Sequence, residues 1–92
     1  MLEFEWDPEK DRSNQRKHAV SFAEASSVFG DPLATTIRDP REFEGEYRFV
    51  TVGYTSQQRL LVVWHTERSE RVRIIGAREA TAAERKTYES ET

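Results

Sequence analysis

Three apolar segments joined by two short links restrict the fold of this chain more than any other feature. The segments are "YRFVTVGY" at 47–54, "RLLVVWHT" at 59–66 and "RVRIIGAR" at 71–78, and the links are "TSQQ" and "ERSE". A crossover between parallel strands needs about a dozen residues or more, whereas a hairpin closes in about two to five. The sequence therefore predicts an antiparallel meander over these segments.

A fourth strand is predicted at 32–37, where "PLATTI" is rich in β-branched residues and lies between two Asp-Pro pairs. The first and last segments of the meander alternate polar and apolar residues, which is typical of strands with one buried face. The middle segment is continuously apolar, as expected of a central strand covered on both faces. The pattern indicates a four-stranded antiparallel sheet.

Three helices are predicted from their start signals, two before the strands and one after them. The N-cap residues are Asp7, Ser21 and Thr81. Pro8 suits the first position of the first helix, and a glutamate three residues after each of the other two caps forms a capping box. We expect one α+β domain over residues 1–92, with two N-terminal helices, a four-stranded antiparallel sheet, a short C-terminal helix and the helices on one sheet face.

The composition and the absence of known motifs argue against several classes of protein, including disulfide-bonded, zinc-binding and membrane proteins. The chain has no cysteine and two histidines, so a disulfide framework and a Cys-based metal site are excluded and a structural zinc site is not expected. We find no apolar signal core at the N-terminus and no run of transmembrane length, so we expect a soluble cytoplasmic domain without a membrane partner or a cofactor. Glycine-rich phosphate loops, HExxH and nucleophile elbows are absent from the sequence.

The basic residues are concentrated in the second half of the chain, although the formal net charge is -3. The first 47 residues hold six Lys or Arg against eleven Asp or Glu, whereas residues 48–88 hold eight against four. The last predicted hairpin carries four arginines in a stretch of eleven residues: Arg68, Arg71, Arg73 and Arg78. This asymmetry favours an anionic partner, and a solvated sheet face of mixed charge is the alternative.

Strand register decides whether these arginines share one surface. In a regular strand, Arg73 and Arg78 have opposite parity and face opposite sides of the sheet. They converge only if the strand bends or ends near Gly76. Arg48, which alternates onto the same side of the first meander segment as Val50 and Val52, would then join them if the registers agree.

The order of motifs resembles the BrnT family, the ribonuclease toxins of bacterial BrnT/BrnA type II toxin–antitoxin pairs. The matching elements are Phe4 to Asp7, Lys10, Asn14, Lys17-His18, Val20 to Pro32, Gly45 to Gly53, Leu60 to Arg68, Arg73 to Ala80, and Glu84 to Tyr88. Three departures stand out: Ala19 where a glycine is usual, Gly76 where a serine is usual, and Trp64-His65 where many members carry other residues.

The resemblance implies a RelE-like fold, metal-independent cleavage of RNA and inhibition of translation. It also implies a BrnA-like antitoxin that covers the basic face and carries the DNA-binding element, so that DNA is contacted only through the antitoxin. The alternative is a non-catalytic module that holds RNA or an acidic partner on the same sheet. Composition and periodicity alone reach no further than a small α+β domain with a basic sheet.

Cleavage by a 2′-hydroxyl needs a base, an acid and cations for the phosphorane, and arginine suits the last role because its fork binds phosphate oxygens bidentately. The candidate catalytic residues are Arg78, His65 and Glu67, and the candidate RNA-binding residues are Lys17, Arg48, Arg68, Arg73 and Tyr88. The structural alternatives are a hydrogen bond for His65, helix capping for Lys17 and His18, a hairpin salt bridge for Glu67, packing for Tyr88 and plain surface positions for the arginines. Trp6 and Trp64 are assigned to the core.

Overall fold

The computed structural model describes residues 2–41 and 45–90 of the chain. In chain order its elements are strand β1 (Glu3–Glu5), helices α1 (Pro8–His18) and α2 (Phe22–Ser26), a 3-10 turn (Ser27–Gly30), strands β2 (Thr35–Arg38), β3 (Phe49–Tyr54), β4 (Leu60–Arg68) and β5 (Arg71–Glu79), and helix α3 (Ala82–Ser90). The predicted α+β class is confirmed, as is the order of elements from α1 to α3.

The strands form one five-stranded sheet in the order β1-β5-β4-β3-β2. Strands β2 to β5 pair antiparallel, as the short links require, and β4 lies at the centre. The prediction of a four-stranded antiparallel sheet was wrong in one respect, because β1 adds a fifth strand that runs parallel to β5. With three residues, β1 is too short for an alternation pattern to be recognised in the sequence.

One face of the sheet, called the helix face below, packs against α2 and the 3-10 turn. Its core consists of buried side chains from both layers: Val20, Phe22, Ala25, Val28, Leu61, Val63, Ile74 and Ala77. Leu60 and Val62, which alternate with the core residues of β4, are also buried on the other face. The prediction that β4 is covered on both sides is therefore confirmed.

The prediction that the helices share one sheet face was wrong for α3. Ala83 and Thr87 of α3 line a cleft with Val50 and Val52 of β3. These valines alternate with Thr51, which is fully buried on the helix face, so α3 lies over the opposite face. That face carries an apolar strip of its own, and α3 covers part of it.

The predicted helix starts are confirmed by their caps. Asp7 accepts a hydrogen bond from the N–H two positions on at 2.9 Å, and Ser21 and Thr81 each accept one from the N–H three positions on at 3.1 Å. The capping box of α3 is reciprocal, because the Glu84 carboxylate accepts from the N–H of its cap at 2.8 Å. Glu24, the corresponding residue of α2, instead turns its carboxylate to side chains of the β3–β4 link.

Candidate functional site

A β-bulge at Ile75 determines which side chains of β5 lie together. Trp64 of β4 pairs with Gly76, whereas the next residue of β4, His65, pairs with Ile74, so Ile75 has no partner in the register. An extra residue of this kind reverses the parity of all residues that follow it. The alternation expected for 71–78 is therefore broken at the bulge.

The bulge brings Arg73 and Arg78 to one side of the sheet. They pair with Thr66 and Val62, which are four residues apart on β4 and therefore on the same face. Arg71 lies two residues before Arg73 and shares this face. The surface defined by Arg71, Arg73 and Arg78, opposite the helix face, is called the arginine face below. On sequence grounds, Arg73 and Arg78 converge only with a bend near Gly76, and the bulge at Ile75 provides it.

Asn14 of α1 supports the bulge from the outer edge of β5. Strand β1 pairs only with Arg71–Arg73, so among the described residues the rest of this edge has no neighbouring strand. There the Asn14 amide donates to the carbonyl oxygens of Ala77 at 2.8 Å and Val20 at 2.9 Å, and its oxygen accepts from the Ala77 N–H at 3.2 Å. Asn14 therefore takes the place of a strand partner.

Arg78 is held by the first turn of α3. Its two terminal nitrogens donate to the two carboxylate oxygens of Glu84 at 2.7 and 2.9 Å, and Nη1 also donates to the carbonyl oxygen of Glu79 at 3.1 Å. The paired hydrogen bonds raise the pKa of Arg78 and lower the pKa of Glu84 to about 2, so both groups are charged at neutral pH. Within the described residues the Nε–H of Arg78 has no hydrogen-bond acceptor, so the Nε edge of the fork is open to a phosphate.

The guanidinium of Arg78 lies over the ring of Trp64, 5.2 Å from its centroid. The assignment of Trp64 to the core was wrong, because this residue is half-buried on the arginine face beside Gly76. In a continuously apolar strand, hydrophobicity does not show which residues face which side of the sheet. Only the alternation of residues along β4, counted from a residue of known face, could have placed Trp64 on the arginine face. Trp6 packs against the core as expected, with its ring 6.3 Å from that of Phe22. Trp64 thus adds an aromatic surface that the sequence analysis missed.

Each arginine of the β4–β5 hairpin has a carboxylate within ion-pair distance. The pairs are Arg68–Glu46 at 3.7 Å, Arg71–Glu3 at 3.7 Å, Arg71–Glu5 at 3.8 Å and Arg73–Glu5 at 2.8 Å. Glu3 and Glu5 belong to β1, so the strand that the sequence did not reveal also supplies counter-charges. The arginine face is therefore less basic than the count of arginines suggests.

His65 lies on the helix face and is 4% exposed. Its Nε2 shares a hydrogen bond of 2.7 Å with Thr51 Oγ1, and its ring packs edge-on to Phe29 and stacks on Phe49, with centroids 4.9 and 5.9 Å away. Burial lowers the pKa of His65 to about 4, so the ring is neutral at physiological pH. These contacts favour the structural alternative for this residue.

Glu67 is exposed and lies two residues after His65 in the same strand, on the side of the helix face. The hairpin salt bridge considered for it is not found among the described residues, because Arg68 and Arg71 pair with other carboxylates. The structure does not bring Glu67 to Arg78, which pairs with β4 five residues earlier and faces the opposite side.

The remaining RNA-binding candidates occupy three different places. Tyr88 is buried, donates its hydroxyl to Asp31 at 2.6 Å and packs edge-on to Tyr54, and burial together with this hydrogen bond raises its pKa to about 12. These contacts favour packing for Tyr88. Arg48 is half-buried just before β3, and Lys17 is exposed on α1 at the outer edge of β5.

The geometry separates charge stabilisation from proton transfer. The arginines share one face, whereas His65 and Glu67 lie on the other. The arginine face offers forked N–H donors for phosphate oxygens beside an aromatic ring.

Among residues 2–41 and 45–90, no three His, Asp or Glu side chains are grouped so that they could hold a metal ion. Over the same residues, no helix has the length and apolar character needed to span a bilayer.

Comparison with known proteins identifies a family and a solved structure of similar fold. A family model described as "Ribonuclease toxin, BrnT, of type II toxin-antitoxin system" matches residues 6–84. No curated protein sequence matches the chain. The 1.1 Å crystal structure of the Brucella abortus ribonuclease toxin BrnT superposes with a TM-score of 0.64 at 18% identity, over 88% of this chain and 99% of that chain. The likeness shows the fold, and the family match includes every residue of the arginine face.

Proposed function

The chain belongs to the BrnT family of ribonuclease toxins from type II toxin–antitoxin systems, and on this premise we propose that it is a metal-independent endoribonuclease acting on cytoplasmic RNA. In the proposed reaction, the 2′-hydroxyl loses its proton to water as its oxygen bonds to the adjacent phosphorus. The 5′-oxygen takes up a proton from water as its bond to phosphorus breaks, which leaves a 2′,3′-cyclic phosphate and a 5′-hydroxyl. Such cleavage of messages would inhibit translation.

The observation that supports this proposal best is the way in which Arg78 is presented. Glu84 holds one edge of its guanidinium, Trp64 lies beneath it, and the Nε edge is open among the described residues. A guanidinium that is already oriented loses little freedom when a phosphate binds to it. Because its charge is permanent, it stabilises the extra negative charge that the phosphorane carries in the transition state.

Arg73 provides a second phosphate contact on the same face. Its partner on β4 is four residues from the partner of Arg78, so their backbones lie about 13 Å apart along the strand. Trp64 and Gly76 lie between them, which leaves an aromatic ring beside a position without a side chain. A single RNA strand running along β5 can therefore contact both arginines and stack one base on Trp64.

The proposal assigns no proton transfer to His65 or Glu67, because both lie away from the arginine face. Catalysis then depends mainly on electrostatic stabilisation by Arg78, with Arg73 and Arg68 as phosphate contacts. Membership of a toxin–antitoxin family implies an antitoxin partner. We assign this role to a BrnA-like protein that covers the arginine face and, through its own DNA-binding element, brings the complex to DNA.

The test is cleavage of a labelled oligoribonucleotide by purified, antitoxin-free protein in EDTA. Arg78→Lys keeps the positive charge but loses the fork, and we expect cleavage to fall about 100-fold or more, as when one oxyanion donor is removed. Arg16→Lys, on the exposed side of α1, is the matched control and should cleave like the wild type. Full activity of Arg78→Lys, with unchanged thermal unfolding, would overturn the assignment of Arg78.

A second candidate function is non-catalytic binding of RNA, and the separation of His65 from the arginines favours it. In that case the wild-type protein would bind the oligoribonucleotide and leave it intact, with or without EDTA. Cyclic phosphate ends on the products, absent when the protein is omitted, would exclude the binding module.

A further inference from the structure

A cleft of about 230 Å³ opens between α1 and the bulge of β5, away from the arginine face. Its lining residues are Lys10, Ser13, Asn14, Lys17, His18 and Ile75. The five residues from α1 follow the spacing of one helical face, so their side chains project into the same space. Ile75, the unpaired residue of the bulge, forms the opposite wall.

The basic residues of this cleft differ from the arginines of the sheet, because no carboxylate of the described residues lies within ion-pair distance of them. Lys10, Lys17 and His18 are exposed, and none of them makes an ion pair or a side-chain hydrogen bond with another described residue. The arginines of the β4–β5 hairpin, in contrast, all have carboxylate partners. In a chain of net charge -3, the cleft therefore presents two lysine charges that no ion pair among the described residues neutralises.

Interaction with the helix dipole does not account for this arrangement. Basic residues in the last turn of a helix lie at its negative end, and this accounts for Lys17 and His18. Lys10 is the third residue of α1, where the positive end of the dipole disfavours a cation. A negatively charged ligand in the cleft would compensate a cation at this position.

We propose that the cleft between α1 and the bulge is an anion site that binds a backbone phosphate of RNA. Lys10 and Lys17 supply the charge, and the Ser13 hydroxyl and the His18 ring N–H supply hydrogen-bond donors. Lysine suits this role because its ammonium donates in three directions and tolerates several phosphate orientations. The choice of RNA as the ligand rests on the proposed function, whereas the anion site itself does not.

The cleft and the arginine face are joined through one residue. Asn14 lines the cleft and bonds to the backbone of Ala77, the neighbour of Arg78. The two surfaces are thus on adjacent sides of β5. An RNA strand that crosses the outer edge of this strand contacts Lys10 and Lys17 with one phosphate and Arg78 with another.

The test uses the double variant Lys10→Gln with Lys17→Gln and the matched double control Arg12→Gln with Arg16→Gln. Both remove two positive charges from exposed positions of α1, but the control arginines do not line the cleft. The probe is a 2′-O-methyl RNA oligonucleotide, which binds but cannot be cleaved. We expect the lysine variant to bind the oligonucleotide about tenfold more weakly. The plot of log K against log salt should become less steep by about 1–2, and the affinity of the control should change less than twofold.

Inorganic phosphate locates the site without RNA. In the wild-type protein, phosphate should shift the backbone amide NMR signals of residues 13–18 more than those of α3, and the lysine variant should lose these shifts. Equal losses of oligonucleotide affinity in both double variants, or unchanged affinity in the lysine variant, would overturn the proposal that the cleft binds phosphate.

These outcomes are distinct from those of the proposed function. A wild-type protein that cleaves RNA while the lysine variant binds the oligonucleotide normally refutes the cleft and leaves the ribonuclease intact. A wild-type protein that binds phosphate in the cleft but cleaves no RNA refutes the ribonuclease and leaves the anion site intact.

Discussion

Replacing Asn14 with alanine tests whether one buried amide fixes the register of β5. The Asn14 side chain makes three hydrogen bonds of 2.8 to 3.2 Å to backbone groups of Ala77 and Val20. Alanine leaves one N–H and two carbonyl oxygens without these partners, at a cost of about 1–3 kcal/mol for each group that stays unsatisfied. We take the lower value, because water can enter the space that the amide leaves. The free energy of unfolding should then fall by about 3 kcal/mol.

This loss is large for a chain of this size. A domain of 92 residues has an unfolding free energy of about 5–14 kcal/mol, so the variant loses a fifth or more of it. In a thermal scan, about 3 kcal/mol corresponds to a fall in Tm of about 12–24 °C. Urea unfolding followed by circular dichroism gives the free energy directly, and hydrogen exchange at the Ala77 amide reports the local effect.

Gln15→Ala is the control for Asn14→Ala. Gln15 is the next residue of α1, is exposed and makes one side-chain hydrogen bond, of 3.1 Å, to Asp11. Its replacement should change stability by no more than about 0.5 kcal/mol. If Asn14→Ala came within about 1 kcal/mol of this control, strand pairing alone would hold the bulge and the reasoning about Asn14 would be refuted.

Two further predictions concern Ala19, which follows the end of α1, and His65, on the helix face of β4. Ala19 has the left-handed conformation, with φ 56° and ψ 34°, so Ala19→Gly should raise the free energy of unfolding by about 1 kcal/mol in urea, and a loss of stability would contradict the strain. Burial lowers the pKa of His65 from 6.5 to about 4, so between these values the unfolded chain takes up a proton that the folded protein does not. Stability should therefore fall as the pH is lowered, by about 2 kcal/mol between pH 7 and pH 5. His65→Phe should remove this component, and an identical pH profile in that variant would show that His65 is not its source.

The helix starts and the antiparallel meander were predictable because they depend on neighbours in the chain. An N-cap such as Ser21 bonds an N–H three residues away, and a four-residue link permits only a hairpin. The convergence of Arg73 and Arg78 could be predicted only on the condition that β5 bends or ends near Gly76. The sequence identified that a bend near Gly76 was required, but a bulge is a relation between two strands and leaves no local pattern.

The elements that the sequence missed share one cause, since each is defined by contacts between distant segments. β1 is recognisable only through its pairing with β5, about 68 residues away. Trp64 was assigned to the core because an apolar central strand gives no sign of which residues face which side. The pairing of Arg78 with Glu84 followed from the position of α3, which was expected on the wrong face of the sheet.

The sequence by itself determined the helices, the strands from β2 to β5, the antiparallel order of the meander and the family, because these are encoded in local spacing and in motif order. The tertiary structure alone decided the chemistry of the surface. It placed Arg73 and Arg78 on one side through an unpaired Ile75, buried His65 away from them, and balanced the arginines with carboxylates from β1 and α3. Side-chain direction and charge pairing depend on register between segments, and register is set by packing of the whole sheet rather than by any one strand.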